Sequence, residues 1–141
     1  MRRQLQNQLF EKYQDLLDKP AMRWGIQCGD GWFDILDKLF ALLEYRNGQA
    51  AKNDKESEFK PLRIYCVKEK YGTLRVKTVN KDSFSDGAIS MAEAMSSRVC
   101  EECGVPGVTS LNGWMSTLCE EHQKDKSERW ARVQEEMGIG N

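Results

Sequence analysis

The chain has 141 residues, with 21 Lys+Arg against 22 Asp+Glu and a net charge of −1. That is one domain's worth of chain, and its near-neutral balance excludes a polycation that coats nucleic acid along its whole surface. No stretch approaches the ~20 consecutive apolar residues of a membrane-spanning helix, and Met1-Arg2-Arg3-Gln4-Leu5-Gln6 lacks the apolar run of a signal peptide, so no membrane partner is expected.

Taken in chain order, residues 3–18 read as a helix. Leu5, Leu9, Tyr13, Leu16 and Leu17 fall on one stripe at helical spacing, and Pro20 ends it. Residues 21–31 carry turn chemistry in Gly25, Gly29, Asp30 and Gly31. A second helix is predicted from about Trp32 to Tyr45. Phe33, Leu36, Phe40 and Leu43 form its inner face, Trp32, Leu39 and Leu42 widen that face, and Asp30 is placed to cap the first amides. Residues 46–60 are polar and aperiodic, which predicts a loop within the domain.

Residues 62–79 alternate as a β-hairpin. Leu62, Ile64 and Cys66 alternate with Arg63, Tyr65 and Val67; beyond a turn over Lys68–Gly72, Leu74, Val76 and Thr78 alternate with Arg75, Lys77 and Val79. A third helix is predicted over 85–97, started by Ser85 or Asp86, with Ile89, Ala92 and Met95 inward. Charge concentrates here: residues 60–81 hold seven basic residues and one acid, Glu69, which leaves −7 on the remainder. Arg63, Lys68, Lys70, Arg75 and Lys77, with Tyr65 and Tyr71 beside them, combine cations with π faces. That chemistry suits phosphate, a nucleotide or single-stranded nucleic acid. The competing reading is a solvated strand face whose charges guard a sheet edge.

The strongest motif follows. Cys100-Glu101-Glu102-Cys103 and Cys119-Glu120-Glu121-His122 are two ligand pairs, each at i and i+3, separated by fifteen residues, and His122 is the only histidine. Three thiolates and an imidazole form a closed, soft donor set suited to one structural Zn²⁺ per chain. This spacing reads as metal binding in a reducing, cytoplasmic compartment rather than as a disulfide scaffold. Pro106, Gly107, Asn112 and Gly113 mark the turns of a short hairpin between the pairs. A last helix opens at Cys119 and His122 and runs to about Met137, with Trp130, Val133 and Met137 as its apolar side. Knuckle, hairpin, helix is the order of a treble-clef zinc finger. A zinc deaminase is excluded because no His-x-Glu precedes the cysteines.

Cys28-Gly29-Asp30-Gly31-Trp32 has two readings: an anion or ligand pocket rimmed by Asp30 and Trp32, or a capped turn entering a helix with Trp32 in the core. Cys28 and Cys66 read as small buried hydrophobes, as a reactive pair or as extra ligands. With His122 committed to metal, no histidine is left to act as base for a cysteine protease or a Ser-His hydrolase. Trp24 and Trp114 are core anchors or half-exposed recognition residues.

Three segments together, Trp24-Gly25-Ile26-Gln27-Cys28-Gly29-Asp30-Gly31-Trp32, Val67-Lys68-Glu69-Lys70-Tyr71-Gly72-Thr73-Leu74-Arg75, and Cys100 through Gly107 with Gly113-Trp114 and Thr117-Leu118-Cys119 to His122, resemble a family of small phage and prophage proteins. The resemblance spans most of residues 22–122. It implies a phage gene expressed in a bacterial cytoplasm and carries no activity. It also implies that the glycine turn, the hairpin and the metal lobe form one unit.

The expected fold is α+β: about four helices, a small antiparallel hairpin or sheet, and a treble-clef-like zinc lobe. Residues 1–98 form the core and 99–141 the metal lobe packed on it. The expected function is that of a non-enzymatic binding protein acting on a host system, as a counter-defence inhibitor or by sequestering a nucleotide signal. Its partner is then a host protein or an anionic small molecule such as a nucleotide. The alternatives are a nucleic-acid-binding accessory or regulatory protein, and an enzyme of unrecognised type at the Cys28–Trp32 turn.

Overall fold

A computed structural model describes residues 1–53, 59–111 and 113–140. The element order is α1 (Arg3–Lys12), a 3-10 turn (Asp30–Trp32), α2 (Phe33–Asn53), β1 (Arg63–Lys70), β2 (Thr73–Val79), α3 (Ser83–Ser96), β3 (Val108–Ser110), β4 (Ser116–Leu118) and α4 (Glu120–Glu136). Among the described residues this is the expected mixed α+β fold, with four helices and two antiparallel hairpins. Among the described residues no helix is long and apolar enough to cross a membrane.

The first helix is shorter than its apolar stripe predicts. It stops at Lys12, and Leu16 and Leu17 leave helical geometry to pair with β1: the Ile64 amide donates to the Leu16 carbonyl at 2.9 Å, and the Asp18 amide to the Ile64 carbonyl at 2.8 Å. Further on, the Gln27 amide donates to the Val67 carbonyl and the Glu69 amide to the Gln27 carbonyl, both at 2.9 Å. Segment 16–27 therefore covers the free edge of β1. The opposite edge belongs to β2 and is covered by α3: Ser96 Oγ accepts from the Leu74 amide at 2.8 Å, and Glu93 Oε1 from the Val76 amide at 3.0 Å.

The hairpin closes through Tyr71 and Gly72, with φ of +55° and +81°. Two consecutive left-handed residues make the tight turn whose twist matches the strands, and glycine takes one of them without strain. The expected alternation of β1 holds only for its first half. The register shifts between Ile64 and Cys66, so Tyr65 is an extra residue bulged out of the ladder. Beyond it the faces exchange: Val67, not Cys66, is buried and opposes Val76, while Cys66 joins the outer face opposite Lys77.

The inner face of the hairpin meets the helices in one core. Leu9, Tyr13, Trp32, Leu36, Phe40, Leu43, Ile64, Val67 and Leu74 are all essentially buried there. Tyr13 meets Phe40 edge-on at 5.6 Å, and its hydroxyl donates to Asp37 Oδ1 at 2.6 Å, so the one polar atom of the ring is satisfied.

Two further expectations are corrected. α2 runs two turns past Tyr45, through Asn53, because Gln49, Ala50, Ala51 and Lys52 favour helix more than Gly48 opposes it; positions 54–58 of the expected loop lie outside the described residues. α3 is started by Asp82, whose side chain accepts from the Ser85 amide in a reciprocal capping box, and its Met95 faces solvent. α4 forms over the expected span, and Trp130, Val133 and Met137 on its apolar side are exposed.

Candidate functional site

The C-terminal ligand pairs are brought together by two short pieces of backbone. Arg98 to Gly107 forms a tight knuckle: the Cys100 amide donates to the Val105 carbonyl at 2.7 Å, the Gly104 amide to the Cys100 carbonyl at 2.9 Å, and the Gly107 amide to the Arg98 carbonyl at 2.8 Å. The β3–β4 hairpin follows, with Thr109 opposite Thr117 and their hydroxyls 2.7 Å apart. It delivers Cys119 to the N-cap position of α4, so that Cys119 and His122 share the first turn. Asn112, expected at the hairpin turn, lies outside the described residues.

The ligand atoms of Cys100, Cys103, Cys119 and His122 all lie within 4.8 Å of one another. Cys103 Sγ is 3.9 Å from Cys119 Sγ, and His122 Nδ1 is 3.5 Å from Cys100 Sγ and 3.2 Å from Cys119 Sγ. A tetrahedral ion with thiolate and imidazole ligands needs sulfur–sulfur edges of about 3.8 Å and sulfur–nitrogen edges of about 3.5 Å. The four side chains thus cluster as a set that could hold one metal ion, with Nδ1 as the inward imidazole atom.

The electrostatics fit a cation. Burial disfavours the Cys100 thiolate, but the amides of Cys119, Cys103 and Glu102 point at its sulfur and bring the thiol down to about 7. The Val105 amide favours the Cys103 thiolate, yet burial and the sulfurs of Cys100 and Cys119 hold that thiol above its ordinary value. Hydrogen bonding to Cys119 and Cys100 raises His122. Sulfurs this close repel one another as thiolates, and a divalent ion supplies the counter-charge that lets all three ionise.

The Cys28–Trp32 turn docks on this knuckle. The Gly31 amide donates to the Glu101 carbonyl at 2.7 Å, and the Gly29 amide to Glu101 Oε2 at 2.9 Å. A Cβ on Gly29 would meet the Glu101 carbonyl oxygen at 2.3 Å. The glycines are therefore needed for close backbone contact, and the metal knuckle fills the space a ligand would use. Contrary to expectation, Asp30 does not cap the helix; it accepts from the Arg2 amide at 2.8 Å and pairs with the Arg2 guanidinium. Burial opposes its charge, and those bonds from Arg2 nonetheless hold its carboxyl below the usual value. Trp32 is wholly buried, with its indole N–H donated to the Val99 carbonyl at 2.9 Å. Burial, with Glu101 nearby, pushes the Cys28 thiol up to about 12, which keeps it protonated and inert.

The predicted cationic residues are brought together on the hairpin. Cross-strand pairing sets Lys68 opposite Arg75, Lys70 opposite Thr73, and Lys77 opposite Cys66, so these side chains share the outer face. Arg63 lies at the far end and donates to the Leu17 carbonyl at 3.4 Å. Glu69 does not neutralise this face: it is set opposite Leu74, and its Oε1 accepts from the Gly72 amide at 2.7 Å. Among the described residues none of these five cations is in an ion pair. Tyr65 projects at the bulge and Tyr71 at the turn, where Lys70 Nζ lies 5.3 Å from its ring centre.

Sequence reasoning missed two features of the lobe. Thr117 Oγ1 donates to the Gly72 carbonyl, tying the metal lobe to the hairpin turn. Lys126 is buried: its Nζ donates to the Trp114 carbonyl at 2.6 Å and to Ser116 Oγ at 2.8 Å, over the Trp114 ring at 4.5 Å. Its spacing of four from His122 on one helix face was the available signal. Trp24 and Trp114, the two tryptophans with open roles, are both exposed. No family model, no curated protein and no solved structure matches this chain.

Proposed function

We propose that this chain is a non-enzymatic binding protein, stapled by one structural Zn²⁺, that takes an anionic partner on the outer face of the β1–β2 hairpin. The observation that carries the reading is the set of cations on that face, none in an ion pair among the described residues, whose one nearby acid, Glu69, is turned to the Gly72 amide. Three thiolates and an imidazole favour zinc over harder-ligand metals, and four protein ligands leave no position for water or substrate. The knuckle, hairpin and helix in that order correspond to a treble clef. The resemblance to phage and prophage proteins supplies the setting, a bacterial cytoplasm. There the partner is a host protein with an acidic surface or a nucleotide signal, and the effect is inhibition of a host defence or sequestration of that signal. An enzyme at the Cys28–Trp32 turn is not supported, since Gly29 and Gly31 both face the knuckle backbone.

A second reading, a nucleic-acid-binding accessory or regulatory protein, draws on the exposed rings of Tyr65 and Tyr71 beside the cations. The test is a parallel pull-down from phage-infected lysate with the wild-type chain and the Arg75→Glu/Lys77→Glu variant, identifying proteins, nucleotides and nucleic acid. A species captured by the first and lost by the second is the partner. Capture that steepens with falling salt and is abolished by nuclease selects nucleic acid. Identical capture by both chains rejects the face.

A further inference from the structure

Trp24 is the most exposed large apolar side chain among the described residues, at 77%. It is held there by a framework, not by a frayed end. The Gly25 amide donates to the Met22 carbonyl at 2.8 Å, the Met22 amide to the Asp18 carbonyl at 2.9 Å, and the Ile26 amide to Gln6 Oε1 at 2.9 Å. Met22 and Ile26, on either side, are buried.

The indole forms one wall of a groove of about 400 Å³ against the first turns of α1. Arg3, Lys19 and Arg23 also line it, with Asn7 and Phe10, and no acidic side chain does. Arg3 and Arg23 make no ion pair or side-chain hydrogen bond among the described residues; Lys19 Nζ lies 5.7 Å from the Phe10 ring centre and is otherwise free. A chain with more acids than bases thus gathers three unneutralised cations around one exposed aromatic plane. The volume is that of a small-ligand cleft.

Each part of this arrangement selects the same chemistry. Guanidinium and ammonium groups bind phosphate oxygens, and guanidinium does so with two parallel bonds. A flat, electron-rich indole in water offers a stacking surface for a planar base. Asn7 adds an amide for a base edge or a sugar hydroxyl.

We infer that this groove binds a phosphorylated nucleobase, the base stacked on Trp24 and the phosphates held by Arg3, Lys19 and Arg23. The ligand is a free nucleotide or the end of a single strand, which share this chemistry. The site lies on α1 and the 19–25 loop, so it stands apart from the hairpin-face reading.

The test is calorimetric titration of the full, metal-loaded chain with ATP, with inorganic tripolyphosphate, and with a single-stranded oligothymidylate. The groove predicts saturable binding of ATP or of the oligonucleotide, and the tighter of the two identifies the source. Tripolyphosphate should bind at least tenfold more weakly than ATP. Trp24→Ala should weaken binding roughly tenfold or more, in keeping with loss of one stacked base, and Trp24→Phe should restore most of it. Arg3→Glu/Arg23→Glu should abolish binding. All three positions, Arg3, Arg23 and Trp24, are exposed, and melting curves check that folding is retained. No binding of either probe overturns the inference. So does equal affinity for tripolyphosphate and ATP, or unchanged affinity in Trp24→Ala. Loss of binding in Arg75→Glu/Lys77→Glu with retention in Trp24→Ala would move the site to the hairpin and overturn the groove.

Discussion

Gly31 and Cys100 are in backbone contact: a Cβ added to Gly31 would lie 2.1 Å from the Cys100 carbonyl oxygen. The residue that leads the chain into α2 therefore rests on the residue that opens the metal site. Metal geometry and core packing are coupled through this contact, and through the hydrogen bonds that Gly29 and Gly31 make to Glu101.

Gly31→Ala should lower stability by about 2 kcal/mol, because both partners in the clash are backbone and neither side can yield by a rotamer change. Gly48→Ala is the control. Gly48 lies inside α2 with no atom within 4 Å of an added Cβ, so alanine there should raise stability by about 0.5–1 kcal/mol. Urea unfolding midpoints of the two variants should move in opposite directions.

Ser96→Ala should cost about 1–3 kcal/mol, since it strands the buried Leu74 amide without an acceptor. Hydrogen exchange at Leu74 should accelerate beyond the change at Val76, which keeps Glu93. Equal acceleration of both amides would mean that α3 as a whole has loosened.

Asp82 gives a pH signature. The Ser85 amide and hydroxyl hold its carboxyl at about 2, below the ordinary 3.8, with burial opposing and Arg46 assisting. A depressed carboxyl contributes stability that is present above pH 3.8 and is lost as pH falls toward 2. Asp82→Ala should therefore cost about 1 kcal/mol at pH 7, and the gap to wild type should close between pH 4 and 2. A gap independent of pH would assign the loss to packing.

Arg75→Glu/Lys77→Glu should abolish binding of the anionic partner and leave the melting temperature nearly unchanged. Both side chains lie on the outer face, and neither has an ion-pair partner to lose among the described residues. A large fall in melting temperature would make the face a structural element.

How much of this was legible depends on the range of the interactions. The metal ligands could be read because their i, i+3 spacing is itself the geometry, and the one histidine falls in register. The second half of β1 could not be read correctly, because nothing at Tyr65 announces a bulge, and one extra residue exchanges the roles of Cys66 and Val67. Leu16 and Leu17 continue a helical stripe, yet their carbonyl and amide neighbours are taken by Ile64, a partner far along the chain. Gly-Asp-Gly offered a turn or a pocket. Only the approach of residues 100–104 shows why side chains are excluded at 29 and 31.

The central claim is that Cys100, Cys103, Cys119 and His122 enclose one ion completely, so that the metal builds the fold and binding happens elsewhere. X-ray absorption at the zinc edge, on protein whose metal content is one ion per chain, tests it most directly. The account predicts three sulfurs at about 2.3 Å, one nitrogen at about 2.0 Å and no oxygen, with loss of tertiary structure on chelation or in Cys103→Ser. A chain that folds fully without metal, or an oxygen ligand on the ion, would contradict it.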